Sequence, residues 1–135
     1  MLDAYVGLPF AERGRSRAGL DCWGLVCLVY AEQLGLDLPR LDEAYVSTAD
    51  RETLQQLVCE GRSAWIEVPA DKAEIFDVVL MSNLGVPHIG LVAGPRLVLH
   101  VEDGADATIE PLSGARLARR LRGFFRHESR HAACV

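Results

Sequence analysis

The second half of the chain constrains the fold most, because it is a succession of short segments rich in β-branched residues. Turn residues separate "AWIEV", "FDVVLM", "HIGLVAG", "RLVLHVE" and "ATIEPL", and "LRGFFRH" has the composition of one more strand. The helical patterns lie in the first half instead. Helices followed by consecutive strands predict an α+β domain with an antiparallel sheet, rather than alternating βαβ units.

The clearest helical pattern begins at Cys22 and continues to about Leu34. Asp21 is suited to cap the first turn, Gly35 is suited to end the helix, and Pro39 prevents its continuation. Apolar side chains recur at helical spacing within this stretch. They are Leu25, Val26, Val29, Tyr30 and Leu34.

Length and composition predict a single domain over residues 1–135, because half of the residues are hydrophobic and can form a core. The local pattern predicts a short helix over residues 1–6, a loop over residues 7–19 and a second helix over about 49–60.

The net charge of −5 gives no general reason to expect nucleic-acid binding. No apolar run has the length of a membrane span, so we expect none. The start of the chain lacks a signal-peptide pattern, so we expect the protein to be made in a cytosol. The four irregularly spaced cysteines are expected to be free thiols.

Cys22, at the predicted start of the helix, is either a buried apolar residue or a nucleophile. Burial is the commonest fate of a cysteine. The amides of a helix start favour a thiolate by at most ~2 kcal/mol, and the neighbouring Asp21 opposes it. A nucleophilic Cys22 therefore needs an imidazolium partner. Cys27 and Cys59 lie within predicted helices and are expected to be inert.

Two histidines on neighbouring predicted strands are the candidate partners of Cys22. His88 opens one strand, His100 lies in the next, and the short connection predicts a hairpin. A three-residue loop, Gly94 to Arg96, would set Gly90 opposite His100 and both histidines on one face, whereas a two-residue loop without a bulge would separate them. On a shared face, His88 is the base and His100 orients it. Otherwise His100 is a satisfied sheet histidine and His88 a loop residue.

The C-terminal tail offers a possible zinc site. His127, His131 and Cys134 have helical spacing and could supply three ligands. No fourth ligand lies nearby and the segment is terminal, so a frayed terminus is the simpler interpretation. The arginine-rich stretch 116–126 predicts a solvated face or a docking surface. We expect no metal and no cofactor.

Four segments together carry a family pattern: "GLPF…GRSRAGLDCWGLV", "FDVVLM", "PHIGLVAG" and "LVLH". From about Gly7 to Arg126 the chain resembles the NlpC-type cell-wall cysteine peptidases, which are papain-like. The resemblance implies N-terminal helices packed on an antiparallel sheet. It implies that Cys22 is the nucleophile, His88 the base and His100 the orienting residue. The implied substrate is the peptidoglycan stem peptide, typically cut between γ-D-glutamate and a diamino acid.

Three segments, "DCWGLV", "WIEVP" and "GFFRH", look most like the subset found in the tails of long-tailed phages, the lambda tail-assembly peptidase type. This resemblance implies tail-tip proteins as partners, synthesis in the host cytoplasm, assembly into the virion tail and action in the periplasm or cell wall to help genome entry. The alternatives are a tail-assembly component whose docking matters more than its chemistry, and a bacterial cell-wall hydrolase or effector.

The resemblance also implies substrate contacts for Asp21, Phe10, Arg15 and Trp23, with Asp21 at the position that contacts the stem-peptide amine. Phe10 departs from the family, which often has a tyrosine whose hydroxyl is thought to assist the site. Phe10 cannot donate a hydrogen bond, so the Cys22 N–H remains as one oxyanion donor and the second is unknown. Losing one such donor can cost ~2.7–4 kcal/mol.

Overall fold

A computed structural model describes residues 2–38, 65–83 and 86–127. The predicted second helix, about 49–60, lies outside these ranges. So do four residues that entered the predictions: Pro39, Cys59, His131 and Cys134. None of the helices within the described ranges has the length and apolar character needed to cross a membrane.

The predicted helix is present and its first turn is capped as expected. Helix α1 comprises Cys22–Val29 and continues through one π-helical turn, Tyr30–Leu34. The Asp21 carboxylate accepts a 2.7 Å hydrogen bond from the N–H of Gly24, which satisfies one of the unpaired amides of the helix start. Gly35 ends the helix in the left-handed conformation, with φ of 65°. The pattern from Cys22 to Leu34 is therefore confirmed.

A small antiparallel hairpin lies within the predicted loop and packs on the start of α1. Its strands are β1, Arg15–Ser16, and β2, Gly19–Leu20. A Cβ on Gly24 would lie 2.0 Å from the carbonyl oxygen of Gly14, so only glycine lets the hairpin approach this turn so closely. The predicted short helix at the start of the chain is a 3₁₀ helix, Leu2–Tyr5.

The second half forms a six-stranded sheet in the order β3-β8-β4-β5-β6-β7. Its strands are β3 (Trp65–Val68), β4 (Val78–Asn83), β5 (Val86–Gly94), β6 (Leu97–His100), β7 (Thr108–Pro111) and β8 (Leu121–His127). Every pairing is antiparallel, which confirms the predicted α+β class. Strand β8 lies between β3 and β4, a long-range placement that the order of the segments did not indicate. Short helical turns, Ala70–Lys72 and Ala115–Ala118, connect strands.

Helix α1 packs against β5, and the main core lies between them. Leu25, Val26 and Val29 of α1 are fully buried there with Ile89 and Leu91 of β5. A second buried cluster uses the alternate residues of the strands. It includes Val79, Met81, Val92, Val98 and Leu117. The period-2 alternation of each strand thus supplies apolar side chains to both clusters.

Candidate active site

Cys22 is the first residue of α1 and lies beside the strand that carries His88. Its side chain is 1% exposed and belongs to the same buried cluster as Ile89, the residue next to His88. Cys22 and Cys27 are not joined in a disulfide. The position at the helix start brings the partial positive charge of the unpaired amides to the sulfur. Burial is what the interpretation of Cys22 as an apolar core residue predicted, and the nucleophilic role of Cys22 stays a prediction.

The hairpin of β5 and β6 brings the two histidine rings into contact. Its loop is two residues long, not three, but the register shifts within the last three residues of β5. This bulge supplies the odd residue that places both histidines on one face. His88 Nε2 lies 3.0 Å from His100 Nδ1, and the ring centroids are 5.2 Å apart. The two histidines therefore share a face, through a bulge rather than through a three-residue loop.

Gly90 makes the close approach of these strands possible. A Cβ at this position would lie 2.7 Å from the carbonyl oxygen of Leu99 and 3.0 Å from the Cβ of His100. Such distances are shorter than side chains tolerate, so any larger residue would push β6 and the His100 ring away. The glycine two residues after His88 thus has a steric reason to be there.

Strand β7 adds a carboxylate that the sequence analysis missed. His100 Nε2 lies 2.5 Å from Oε2 of Glu110. The register pairs Val98 with Glu110, so Glu110 is the same-face diagonal neighbour of His100. The signal was present in the alternation of "ATIEPL", which puts Thr108 and Glu110 on one face. Nη1 of Arg116 donates to both carboxylate oxygens of Glu110, at 3.1 and 3.0 Å.

A second carboxylate, Glu102, completes a charged network around the histidines. Nη2 of Arg116 donates to one of its oxygens and Nη2 of Arg120 donates to the other at 3.0 Å. Burial raises the pKa of Glu102, but the hydrogen bonds from Arg120 and Arg116 outweigh burial and lower the pKa to about 2. Part of the arginine-rich stretch therefore pairs with carboxylates beside the histidines instead of forming only a solvated face.

His88 is neutral at neutral pH. Burial lowers the pKa of its ring from the ordinary 6.5 to about 3, and the electrostatic effect of the neighbouring His100 acts in the same direction. The imidazolium partner that the sequence analysis required for Cys22 is therefore absent from the resting protein. A neutral ring has the lone pair that a general base needs, but a pKa of about 3 lies well below the range near the working pH in which a general base is most effective.

The same side chains raise the question of a metal. Ligand atoms of His88, His100 and Glu102 all lie within 4.8 Å of one another. However, the two rings already share a hydrogen bond, and Glu102 is paired with two guanidinium groups whose positive charge would repel a dication. The arrangement suits a relay of hydrogen bonds better than a metal centre.

Asp21 and Arg15, two of the predicted substrate contacts, bond to each other. The Asp21 carboxylate is fully buried and accepts from Nη1 of Arg15 at 2.8 Å and from the N–H of Arg13 at 3.1 Å. Together with the cap bond to Gly24, these bonds join the hairpin to the first turn of α1. In this structure Asp21 and Arg15 help to place Cys22, and their contact with a substrate stays a prediction.

Trp23 and Phe10, the other two predicted contacts, pack in or against the core. Trp23 is fully buried, so a direct contact with substrate would require the site to open. Phe10 is half-buried, pairs with Leu20 through an isolated bridge and packs against the same cluster as Cys22. Their substrate-binding roles also stay predictions.

His127 takes part in an aromatic cluster. Its ring lies 5.2 Å from that of Trp65 and 6.2 Å from that of Tyr30, measured between centroids. It is the last residue of β8, so at this position the chain is a strand and not part of the helix that the three ligands would need. The other two residues of that site, His131 and Cys134, lie outside the described residues.

The sequence matches a family profile and a curated protein. The NlpC/P60 family profile matches residues 7–126. The gamma-DL-glutamyl hydrolase of Bacillus subtilis (strain 168) is 28% identical over 115 residues, which are 82% of this chain and 24% of that protein. The chain thus spans about a quarter of the length of this relative.

Solved structures share the fold at low sequence identity. A Staphylococcus aureus Mu50 protein, described as similar to lipoprotein and of the NLP/P60 family, superposes with a TM-score of 0.63 at 23% identity, over 92% of this chain and 38% of its own. An NLPC/P60 family protein from Bacillus cereus ATCC 10987 superposes with a TM-score of 0.66 at 20% identity, over 91% of this chain and 36% of its own. The NlpC/p60 domain of the peptidoglycan hydrolase SagA superposes with a TM-score of 0.58 at 18% identity, over 90% of this chain and 88% of its own.

Proposed function

Because the chain belongs to the NlpC/P60 family, we propose that it is a cysteine peptidase that hydrolyses peptidoglycan stem peptides. The observation that carries the proposal is the hydrogen-bonded series His88–His100–Glu110 on the sheet against which α1, headed by Cys22, packs. The names of the similar gamma-DL-glutamyl hydrolase and of the peptidoglycan hydrolase SagA support the substrate class. The proposed scissile bond joins γ-D-glutamate to a diamino acid.

The two nitrogens of His88 have distinct tasks in this proposal. Nε2 contacts His100, which leaves Nδ1 as the nitrogen proposed to exchange a proton with Cys22. As the sulfur attacks the carbonyl carbon, its proton moves to Nδ1 and the carbonyl electron pair moves to oxygen. The tetrahedral intermediate expels the amine, which takes the proton from Nδ1. Water, deprotonated by His88, then cleaves the thioester and restores the Cys22 thiol.

We further propose that the protein acts at a phage tail tip, with tail proteins as partners, and that it reaches the cell wall from the virion. The support is the likeness of "DCWGLV", "WIEVP" and "GFFRH" to the tail-associated subset. Two of these segments contribute β3 and β8, which pair with each other, and Trp65 of one packs on His127 of the other. A shared sheet edge gives these two segments one structural context.

A second candidate is a tail-assembly component with weak or no catalysis. The observation that favours it is Phe10, which packs half-buried against the core and has no hydroxyl to offer to an oxyanion. A bacterial cell-wall hydrolase or effector is a further alternative with the same chemistry in another setting. The peptidase and the tail-assembly component differ in whether the function requires the Cys22 thiol.

Mass spectrometry of the fragments released from purified sacculi tests the peptidase proposal. We expect Cys22→Ser to lower fragment release by orders of magnitude, since a weakly acidic hydroxyl cannot replace the thiol. His88→Ala should do nearly the same, and the double variant should be little worse than either, because the pair acts as a unit. Cys27→Ser, which changes the half-buried thiol on the same helix, is the matched control and should retain the wild-type rate.

The fragment masses identify the bond that is cut. If the wild type releases nothing from sacculi of its host while Cys22→Ser particles fail to assemble, the thiol is structural and the tail-assembly candidate replaces the peptidase. If Cys22→Ser, His88→Ala and the double variant all assemble but release no fragments, the chemistry and the docking use separate surfaces.

A further inference from the structure

We infer that Glu110 is a positioning residue that determines which nitrogen of each histidine carries a proton, and so makes His88 Nδ1 the basic atom. The inference rests on the proposed function, because it explains how the proposed base is prepared. Two carboxylates lie near His100, those of Glu110 and Glu102.

Distances select Glu110 as the partner of His100. Its Oε2 lies 2.5 Å from His100 Nε2, which is hydrogen-bond distance. The nearest oxygen of Glu102 lies 3.8 Å from His100 Nδ1, beyond that range. Glu102 has its own partners, because Arg116 and Arg120 donate to its two oxygens. Glu102 therefore contributes charge to the network, while Glu110 makes the directional contact with the ring.

The protonation pattern follows from the donor and acceptor capacity of each group. An ionised carboxylate only accepts, so His100 Nε2 must carry the hydrogen of its bond to Glu110. A neutral imidazole has one N–H, so His100 Nδ1 is an acceptor. The 3.0 Å contact then requires His88 Nε2 to be the donor, which leaves the lone pair of His88 on Nδ1. One carboxylate thus sets the tautomer of two rings in series.

Arg116 keeps Glu110 in the accepting role. Its guanidinium, which is always charged, donates to both oxygens of Glu110 and also bridges to Glu102. The carboxylate is therefore held in one orientation with its negative charge balanced from the solvent side. When His88 takes the proton of Cys22, its Nε2–H bond to His100 is unchanged, so no proton has to move beyond the first ring.

Glu110→Gln tests the inference, because the amide can donate as well as accept. If its NH₂ donates to His100 Nε2, both tautomers reverse and His88 Nδ1 carries a hydrogen instead of a lone pair. The corresponding Asp→Asn change in a serine-protease triad lowers kcat by about 10⁴-fold through the wrong tautomer. Acting through two rings, Glu110→Gln should lower kcat by about 10²–10⁴-fold with little change in KM. Glu110→Asp, which keeps the charge, should restore part of the activity.

Glu67→Gln is the matched control, because Glu67 is exposed on β3 at the opposite edge of the sheet. It makes the same chemical change and should leave kcat at the wild-type value. Thermal unfolding of Glu110→Gln shows whether the variant is folded. If Glu110→Gln does not fold, the activity of Glu110→Asp and the histidine tautomers of the wild type still test the role of Glu110.

Nuclear magnetic resonance of ¹⁵N-labelled histidine rings provides a readout that does not depend on activity. We expect Nε2–H tautomers for His88 and His100 in the wild type and Nδ1–H tautomers in Glu110→Gln. An unchanged tautomer together with full activity overturns the inference. Hydrolysis that needs Cys22 and His88 but not Glu110 overturns it while sparing the peptidase. A tautomer reversal in a protein that never hydrolyses sacculi supports the positioning role and overturns the proposed function.

Discussion

Acidification should destabilise this protein through His88. The unfolded chain exposes the ring, whose pKa is ordinarily 6.5, whereas burial in the folded protein lowers it to about 3. Between these values the unfolded state binds more protons than the folded state, so stability increases with pH across this window. The contribution of His88 is therefore complete above pH 6.5 and is lost as the pH falls toward 3.

The size of the effect follows from the linkage relation. One such group lowers the free energy of unfolding by about 2 kcal/mol between pH 7 and pH 5. The limiting slope is about 1.36 kcal/mol per pH unit. The value hardly depends on how far below 5 the folded pKa lies, because the folded ring stays neutral over the whole range. The titratable and charged groups that act on the pKa of the ring are His100, Glu102, Arg116 and Arg120. The pKa of Glu102, lowered to about 2, keeps that carboxylate ionised throughout.

Urea unfolding at pH 7, 6 and 5 measures this effect, with the fluorescence of the two tryptophans as the signal. With a slope of ~1–3 kcal/mol per molar urea, the midpoint should fall by about 1 M from pH 7 to pH 5. The matched variant is His88→Gln, whose amide can still donate to His100 Nδ1 but does not titrate. Its absolute stability is not the readout. The pH dependence of its midpoint should be clearly weaker than that of the wild type.

Equal pH dependence in the wild type and His88→Gln would refute the reasoning. It would mean that His88 titrates with the same pKa in the folded and unfolded chains and is therefore exposed to solvent. The closed, buried arrangement of the two rings would then not describe the protein in solution. A pH dependence that appears only below about 4.5 would instead point to carboxylates such as Glu102.

Two further predictions concern the thiol and the helix start. Iodoacetamide at pH 7 should modify Cys22 faster than Cys27, although Cys22 is the more buried, because a neutral His88 can take the thiol proton as the sulfur attacks. His88→Ala should therefore slow the reaction at Cys22, and labelling in the order of exposure would argue against activation. Gly24→Ala should destabilise the protein by about 1–3 kcal/mol in urea unfolding, because its methyl group would meet the carbonyl of Gly14. Helix propensity alone would make the same variant more stable, so a stabilised variant would contradict the close contact.

The sequence by itself determined the local elements. Asp21 before Cys22 and Gly35 after Leu34 indicated where a helix starts and ends, because caps satisfy backbone groups only a few residues away. The β-branched segments likewise indicated six strands and an antiparallel sheet. Each of these features depends on neighbours within about ten residues, and a pattern of that length is readable without the fold.

The face shared by the two histidines lay at the limit of what the sequence could decide. His88 and His100 were assigned to neighbouring strands correctly, but their sides depended on whether the connection held an even or odd number of residues. The structure has a two-residue loop and a bulge, a combination that restores the shared face. The alternation of a strand has a period of two, so one extra residue reverses every side chain beyond it.

Only the tertiary structure decided the rest of the site. Strand β8 lies between β3 and β4, an order that chain proximity does not give. Glu110 contacts His100 through the pairing of β6 with β7, and Arg116 reaches both Glu110 and Glu102 from the turn that follows β7. The pKa of His88 depends on the helix and strands that bury its ring. Long-range pairing and burial are properties of the whole packed domain, because they depend on which surfaces exclude water together, and no local pattern of residues contains that information.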